Sequence, residues 1–309
     1  MFKYDKDNWT GQLFDIRGSM VREIVYRVLA CVLWSIVVVL GHQRFPLDIP
    51  ATAHTLISVA IGLLLVFRTN SSYDRFWEGR KQWGCIVNEC RNMARTATVY
   101  LVEAPDLAAN IIHWTIAFAW TTKYRLRGGS GVGSVTAWLP ADDVEAVLNA
   151  EHPPLAASIR ISSQIEEARK RGLISDYVQM TMDQNVQLLI DYMGACERIK
   201  NTPMPFAYMV HLRRAVVLYC FTLPLVLVHA YGWVTVPATL LIAYVLYGIE
   251  EIGVEIEDPF GVDMNDLPLT RICQTIEENL YAVAEPLPVQ TPDPEDIRQQ
   301  STENANPQH

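Results

Sequence analysis

Apolar and polar residues are separated into blocks along this chain of 309 residues. Two apolar blocks lie early, at 21–42 and 52–67, and two lie late, beginning at Ala215 and at Trp233. Each is close to the roughly 20 helical residues that cross a hydrocarbon layer about 30 Å thick. The pattern predicts four transmembrane helices, and the last two form a hairpin because only an uncharged turn separates them.

The segment between the two pairs carries most of the charge and has apolar residues at helical spacing. We predict a cytoplasmic helical domain there, with the second apolar helix continuing into it beyond Phe67. One further helix, around residues 110–128, is expected to be amphipathic and to pack among cytoplasmic helices. A glycine-rich stretch at 128–135 lacks the G-K-[ST] of a phosphate-binding loop and is interpreted as a flexible loop.

These blocks divide the chain into six segments. They are an N-terminal cytoplasmic segment (1–20), transmembrane helices 1 and 2 (21–67), the cytoplasmic helical domain (68–210), transmembrane helices 3 and 4 (211–250), a cytoplasmic acidic turn and helix (251–287) and a disordered tail (288–309). The tail is assigned from its proline-rich, polar composition.

Lysine and arginine are placed asymmetrically around the apolar blocks. They cluster before the first block, after the second and before the third, whereas the two short connections within the pairs hold only Arg44. By the positive-inside tendency, both termini and the middle segment lie in the cytoplasm. We therefore expect a multi-pass protein of the cell inner membrane.

Composition adds two exclusions. The formal net charge is -9, and the topology already explains the basic clusters, so nucleic-acid binding is not indicated. The six cysteines form no C-x-x-C pair and have no histidine at ligand spacing. We expect free thiols, and neither a metal nor another cofactor.

The apolar half of the second helix contains a repeat. Val59, Leu63 and Phe67 recur every four residues and line one stripe of the helix, which ordinary helix packing also explains. Cations and amphipathic rings are favoured at membrane interfaces. Five side chains beyond the stripe are expected at that interface, namely Arg68, Tyr73, Arg75, Trp77 and Trp83.

Three longer motifs resemble the bacterial bestrophins: "FRTNSSYDRFWEGRKQWG" (67–84), "GACERIKNTPMPFAYMVHLRR" (194–214) and "EIEDPFGVDMNDLPL" (255–269). They follow the family's order, and the hydrophobic profile fits from about Trp9 to Leu287. The resemblance implies an all-α integral membrane protein with four transmembrane helices and a cytoplasmic helical domain per subunit. It also implies a homopentameric ion channel with one pore on the five-fold axis.

The resemblance also implies two constrictions in the pore. The narrow neck falls on Val59, Leu63 and Phe67, where rings of apolar side chains gate by dewetting. At the first two of these positions the family's pattern implies the bulkier Ile or Phe. The cytoplasmic aperture falls on Tyr177, where relatives usually carry an aliphatic residue. An ordinary surface tyrosine is the alternative at that position.

The acidic motif is similar to the segment that forms a calcium clasp in animal relatives. The resemblance makes Asp258, Asp263 and Asp266 a candidate cation site, although Met264 and Asn265 interrupt the acidic run. Calcium takes six to eight oxygen ligands. The alternative is a turn whose carboxylates cap helices and pair with basic residues of neighbouring subunits.

The expected function is conduction of monovalent ions through a homopentamer in the lipid bilayer. The net negative charge favours cations, and a chloride or other anion channel of the same architecture is the alternative.

A rival of another class is a membrane-bound enzyme or binding protein that works through the cytoplasmic helices. Its acids or bases would be drawn from four histidines, namely His113, His152, His211 and His229. None of these has a partner at catalytic spacing, so no enzyme is expected.

Overall fold

The structure is a computed structural model that describes residues 20–44 and 49–284. Within these ranges it contains nine α-helices and two short 3-10 helices, and no strand. The all-α prediction is therefore confirmed for the described chain. The predicted tail, 288–309, and the predicted N-terminal segment, apart from Met20, lie outside the described residues.

The helices are divided between two compact units. Unit 1 holds the described residues up to Glu78 together with Thr202–Asp266, and unit 2 holds Gly79–Asn201 together with the described residues from Leu267. In chain order the α-helices are α1 Val21–His42, α2 Ala51–Tyr100, α3 Pro105–Arg127, α4 Ala141–Leu148, α5 Pro153–Lys170, α6 Asp176–Asn201, α7 Phe206–Tyr231, α8 Thr235–Glu255 and α9 Leu269–Ala284.

Three stretches of the described chain are long and apolar enough to cross a membrane. They are Val21–His42, Ala51–Tyr100 and Phe206–Glu255. The third contains both α7 and α8, which are divided by a 3-10 turn at Gly232–Val234. Arg213, near the start of α7, donates a hydrogen bond of 2.9 Å to Glu250, near the end of α8. The two helices therefore run antiparallel, as the predicted hairpin requires.

The core of unit 1 is apolar and is shared by four helices. Helix α1 packs against α7 and α8, which also pack against each other. The core side chains are Ile24 and Val28 of α1, Ile61 and Leu65 of α2, Leu212, Val216 and Cys220 of α7, and Ala243 and Tyr247 of α8. Towards the other end of α1, the Trp34 ring stacks on Phe221 with 4.5 Å between centroids. The indole N–H of Trp34 also donates to the Phe221 carbonyl.

The core of unit 2 is built around α3, which contacts α5, α6 and α9. Pro105 begins this helix, and Gly128, in the left-handed conformation, ends it. Nearly every side chain from Leu107 to Lys123 is buried, including Trp114 and Phe118. The prediction of an amphipathic helix was wrong, because a helix surrounded by others is buried around its whole circumference.

The glycine-rich stretch after α3 is a packed turn and not the flexible loop expected from composition. A Cβ atom on Gly129 or Gly131 would lie 2.7 or 2.8 Å from the Tyr124 ring, and one on Gly133 would lie 2.3 Å from the Trp120 ring. Glycine is therefore required where the backbone crosses these aromatic faces. The chain then forms a 3-10 helix at Gly133–Ala137.

The Gly133→Ala substitution should lower the free energy of unfolding by about 2 kcal/mol or more, since it combines a positive φ with a clash against a buried ring. Gly172→Ala is the matched control, because Gly172 also has a positive φ but has open space around its Cβ direction. It should cost only about 1 kcal/mol. Thermal unfolding in detergent measures both, and equal losses would mean that the Trp120 contact contributes nothing.

Candidate functional site

The repeat of Val59, Leu63 and Phe67 forms an exposed apolar stripe on α2. Their exposed fractions are 60%, 55% and 61% in the single chain. Within the described chain, all three of these large apolar side chains therefore remain more than half exposed. In a membrane-spanning segment such a face contacts lipid or other copies of the chain.

The opposite face of α2 is buried. Ile61 and Leu65 belong to the core of unit 1, and Arg68 and Ser72 continue the same buried stripe at spacings of three and four residues. The helix therefore has one face held by its own subunit and one face left open. The helical period predicts both faces. Positions 59, 63 and 67 share one side of the helix, and positions 61, 65 and 68 share the other.

Two polar contacts from α7 hold the α2 backbone and its first turns. The Tyr208 hydroxyl donates a hydrogen bond of 3.0 Å to the Leu64 carbonyl, within the stripe. Nearer the start of α2, His54 Nε2 lies 3.1 Å from the Thr222 hydroxyl, and its ring stacks on Tyr219. Helix α7 therefore contacts this segment of α2 both before the stripe, at His54, and within it, at Leu64.

A cluster of charges lies directly after the stripe. Arg68 has 0% exposure, and its Nη1 and Nη2 atoms lie 4.0 Å from Glu250 and 3.7 Å from Glu257. The guanidinium of Arg68 turns into the core of unit 1 towards these carboxylates, and its expected depth at the membrane interface stays a prediction. Trp83 is fully buried in unit 2, whereas Tyr73 and Trp77 are exposed.

The acidic partners of Arg68 were missed in the sequence analysis. Glu250 also accepts hydrogen bonds from Arg213 Nε at 2.9 Å and from Arg27 Nη1 at 3.3 Å. Glu251 accepts a further bond of 2.8 Å from Arg27. The signal was present as a glutamate pair at the end of an otherwise apolar span, because charges in such a position are usually paired.

Tyr177 lies in unit 2, in the first turn of α6, with 81% of its surface exposed. The adjacent helix end is rich in charge. Arg169 donates two hydrogen bonds of 2.8 Å to Glu166, and these bonds lower the pKa of that carboxyl to about 2. The tyrosine thus stands open beside an ion-paired surface, and its role as an aperture remains a prediction.

Two of the three aspartates of the acidic turn, Asp258 and Asp266, accept backbone hydrogen bonds within the turn. Asp258 accepts a hydrogen bond of 3.1 Å from the Phe260 N–H, and Asp266 accepts one of 2.7 Å from the Asp263 N–H. Among the described residues no three His, Cys, Asp or Glu side chains are grouped so as to hold a metal ion. The candidate cation site at Asp258, Asp263 and Asp266 therefore stays a prediction, and we derive no calcium-dependent step from it.

The four histidines have different surroundings. His113 is buried in unit 2, where it stacks on Trp138. His152, also in unit 2, accepts the Leu155 N–H through Nδ1 at the start of α5, and its Nε2 lies 3.1 Å from Glu197. In unit 1, His211 and His229 are exposed. Hydrogen bonds from Arg125 and His152 lower the pKa of Glu197 although burial alone would raise it.

A family model described as "Bacterial/Fungal Bestrophin protein" matches residues 1–282. The chain belongs to the bestrophin family. The resemblance drawn from the three sequence motifs is therefore confirmed.

Relatives of this bestrophin are similar along most of their length. A Synechocystis protein named voltage-dependent anion channel-forming protein is 40% identical over 277 residues, which cover 88% of this chain and 90% of the relative. An Escherichia coli K12 protein of the same name is 30% identical, with 89% of this chain and 91% of the relative covered. A crystal structure of a bacterial bestrophin homologue from Klebsiella pneumoniae has a TM-score of 0.81 and 32% identity, and the match covers 87% of this chain and 100% of that one.

These comparisons fix the class of protein. The family and the named relatives are ion channels and not enzymes. This bestrophin is accordingly a multi-pass membrane protein of an ion-channel family, and the rival reading as an enzyme is set aside. The names of the relatives also favour the anion alternative over the cation preference inferred from net charge.

Burial of His113 predicts a pH dependence of stability. Burial lowers the pKa of His113 from 6.5 to about 4, so between these values the unfolded chain binds a proton that the folded chain does not. Stability is then retained above about pH 6.5 and is lost as the pH falls towards 4, by up to roughly 3 kcal/mol.

The His113→Phe variant keeps a ring against Trp138 and removes the titrating group. We expect its midpoint of thermal unfolding in detergent to depend less on pH between 6.5 and 4 than that of the unmodified protein. Parallel curves for the two proteins would contradict the assignment of this window to His113.

Proposed function

We propose that this bestrophin forms a homopentameric channel that conducts monovalent anions across the cell inner membrane, with both termini in the cytoplasm. The observation that carries the proposal is the exposed stripe of Val59, Leu63 and Phe67 on a helix whose other face is buried. In five copies around an axis, this stripe would form three stacked apolar rings. The alternative occupant of the stripe is lipid, and the experiments below separate the two.

An apolar neck needs no catalytic group to control flux. An ion that enters a narrow apolar ring loses part of its hydration and gains no polar partner, so the ring is a barrier until it widens or wets. Val59 and Leu63 are less bulky than the residues that the family's pattern implies at these positions. The width of the neck is therefore a property in which this channel should differ from its relatives.

The sign of the conducted ion is proposed from the relatives and not from the net charge. Relatives that match about nine-tenths of this chain are named as anion channel-forming proteins. Of the acidic residues behind the net charge, five lie in 285–309, with one arginine, and these residues are outside the described part of the chain. The net charge is thus a weak guide to the field that an ion meets.

Tyr177 is proposed to line a second constriction, at the cytoplasmic end of the path. Its exposure in the single chain is what a residue facing a central space requires. Five tyrosines would present hydroxyl donors as well as ring faces, and hydroxyl groups hydrogen-bond anions. This ring would therefore be wetter than an aliphatic one.

The first experiment measures current through the purified protein in planar bilayers under a KCl gradient. We expect reversal near the chloride equilibrium potential. The Val59, Leu63 and Phe67 triple alanine variant should carry larger currents, because shorter side chains widen the apolar rings.

Ile57→Ala is the matched control for the triple variant, since Ile57 is an exposed apolar residue on another face of α2. Its current should equal that of the unmodified channel. Reversal near the potassium potential would overturn the anion assignment alone. An unchanged current in the triple variant, or a mass in detergent other than that of five subunits, would contradict the proposal that the stripe forms a pentameric neck.

The Tyr177→Ala variant should raise the single-channel conductance, by about twofold if this ring contributes as much resistance as the neck. Met180→Ala is the comparison, because Met180 is exposed one turn further along α6. Equal effects from the two substitutions would identify Tyr177 as an ordinary surface residue.

A further inference from the structure

Arg68 occupies a position where the helical repeat calls for an apolar residue. Ile61 and Leu65 precede it on the buried stripe of α2, and Ser72 follows it. Phe67, the last residue of the exposed stripe, is its direct neighbour, 100° away around the helix. A buried charge therefore directly follows the last residue of the proposed neck in the sequence.

The guanidinium of Arg68 attracts two carboxylates electrostatically, at distances longer than a hydrogen bond. It lies 4.0 Å from Glu250 and 3.7 Å from Glu257, and none of its three nitrogens has a hydrogen-bond partner within the described chain. Gly253 of α8 leaves room for it, because a Cβ there would lie 3.0 Å from Arg68 Nε. Helix α8 and the turn after it therefore enclose this side chain.

The two carboxylates are fixed by other groups. Glu250 accepts bonds from Arg213 of α7 and Arg27 of α1, and Glu257 accepts the Met204 N–H at 2.9 Å. Their positions are thus set without Arg68. Because charge-assisted hydrogen bonds are best near 2.7–2.9 Å, a movement of about 1 Å by α2 or α8 would change how strongly Arg68 is held.

We propose that Arg68 is a positioning residue that couples the end of α8 to the neck, by drawing the Phe67 turn of α2 towards Glu250 and Glu257. The inference rests on the proposed function of the neck. A displacement of α8 or of the turn at Glu257 moves the attracting carboxylates, and α2 follows because a desolvated guanidinium is strongly destabilised away from its counter-charges. The register of the Phe67 ring then depends on Arg68.

The Arg68→Met variant tests this coupling. It removes the buried charge and keeps side-chain length, while Glu250 and Glu257 keep their other hydrogen bonds. The readout is the rate at which a charged methanethiosulfonate modifies Leu63→Cys, measured at that site by peptide mass spectrometry. Current in planar bilayers is recorded in parallel from the same variants without the added cysteine.

We expect Arg68→Met to change the modification rate at position 63 by about tenfold, and Arg68→Lys to restore it to within about twofold, because lysine returns the positive charge. Arg214→Met is the matched control, since Arg214 is an exposed arginine of α7. It should leave the rate unchanged. If Arg68→Met does not fold, Glu257→Gln serves instead, because glutamine still accepts the Met204 N–H while losing its charge.

The outcomes separate the coupling from the channel itself. A rate that follows the charge at position 68, in a protein that passes no current, supports the coupling and contradicts the proposed function. Normal current with an unchanged rate in Arg68→Met contradicts the coupling alone. An equal change in the modification rate from Arg214→Met would also contradict the coupling, because the loss of any positive charge would then have the same effect.

Discussion

The exposed stripe on α2 depends on how the opposite face of that helix is held. Val59, Leu63 and Phe67 are not buried by their own chain, so their position depends on Ile61 and Leu65 in the core, on the polar contacts with α7 and on the charge at Arg68. Of these, the charge imposes the strictest condition, because a buried guanidinium is tolerated only beside compensating carboxylates. Acidic residues at the end of α8 are therefore a requirement of the helix that carries the stripe.

Glu250 meets this condition for several helices at once. This residue of α8 lies within 4.0 Å of arginines from α1, α2 and α7, namely Arg27, Arg68 and Arg213. Apolar side chains of membrane helices slide past one another at little cost, since lipid and neighbouring helix are equally apolar. A buried polar centre is directional and opposes such sliding. Its position at one end of the core explains how four apolar helices keep a fixed register there.

Hydropathy and helical period predicted much of this arrangement from the sequence. The bounds of α1, the continuity of α2 beyond Phe67 and the hairpin of α7 and α8 all follow from properties of neighbouring residues. The Arg68 pairing does not, because Glu250 is far away in sequence and only the folded core brings them together. The packed glycine turn was missed for the same reason, since its need for glycine comes from the Trp120 and Tyr124 rings.

The charge cluster also limits what can select the sign of a conducted ion. Arg68 is the charge nearest to the stripe in sequence, but it points into the core and not along the stripe. The cluster contains three arginines (Arg27, Arg68 and Arg213) and three glutamates (Glu250, Glu251 and Glu257), so its formal charges cancel. A set of charges that sums to zero produces a weaker field at a distance than the same number of charges of one sign, and an apolar ring has no sign of its own. If the stripe forms the proposed neck, discrimination between anions and cations must therefore come from side chains elsewhere on the path, and the role proposed for the charge cluster is to position the stripe.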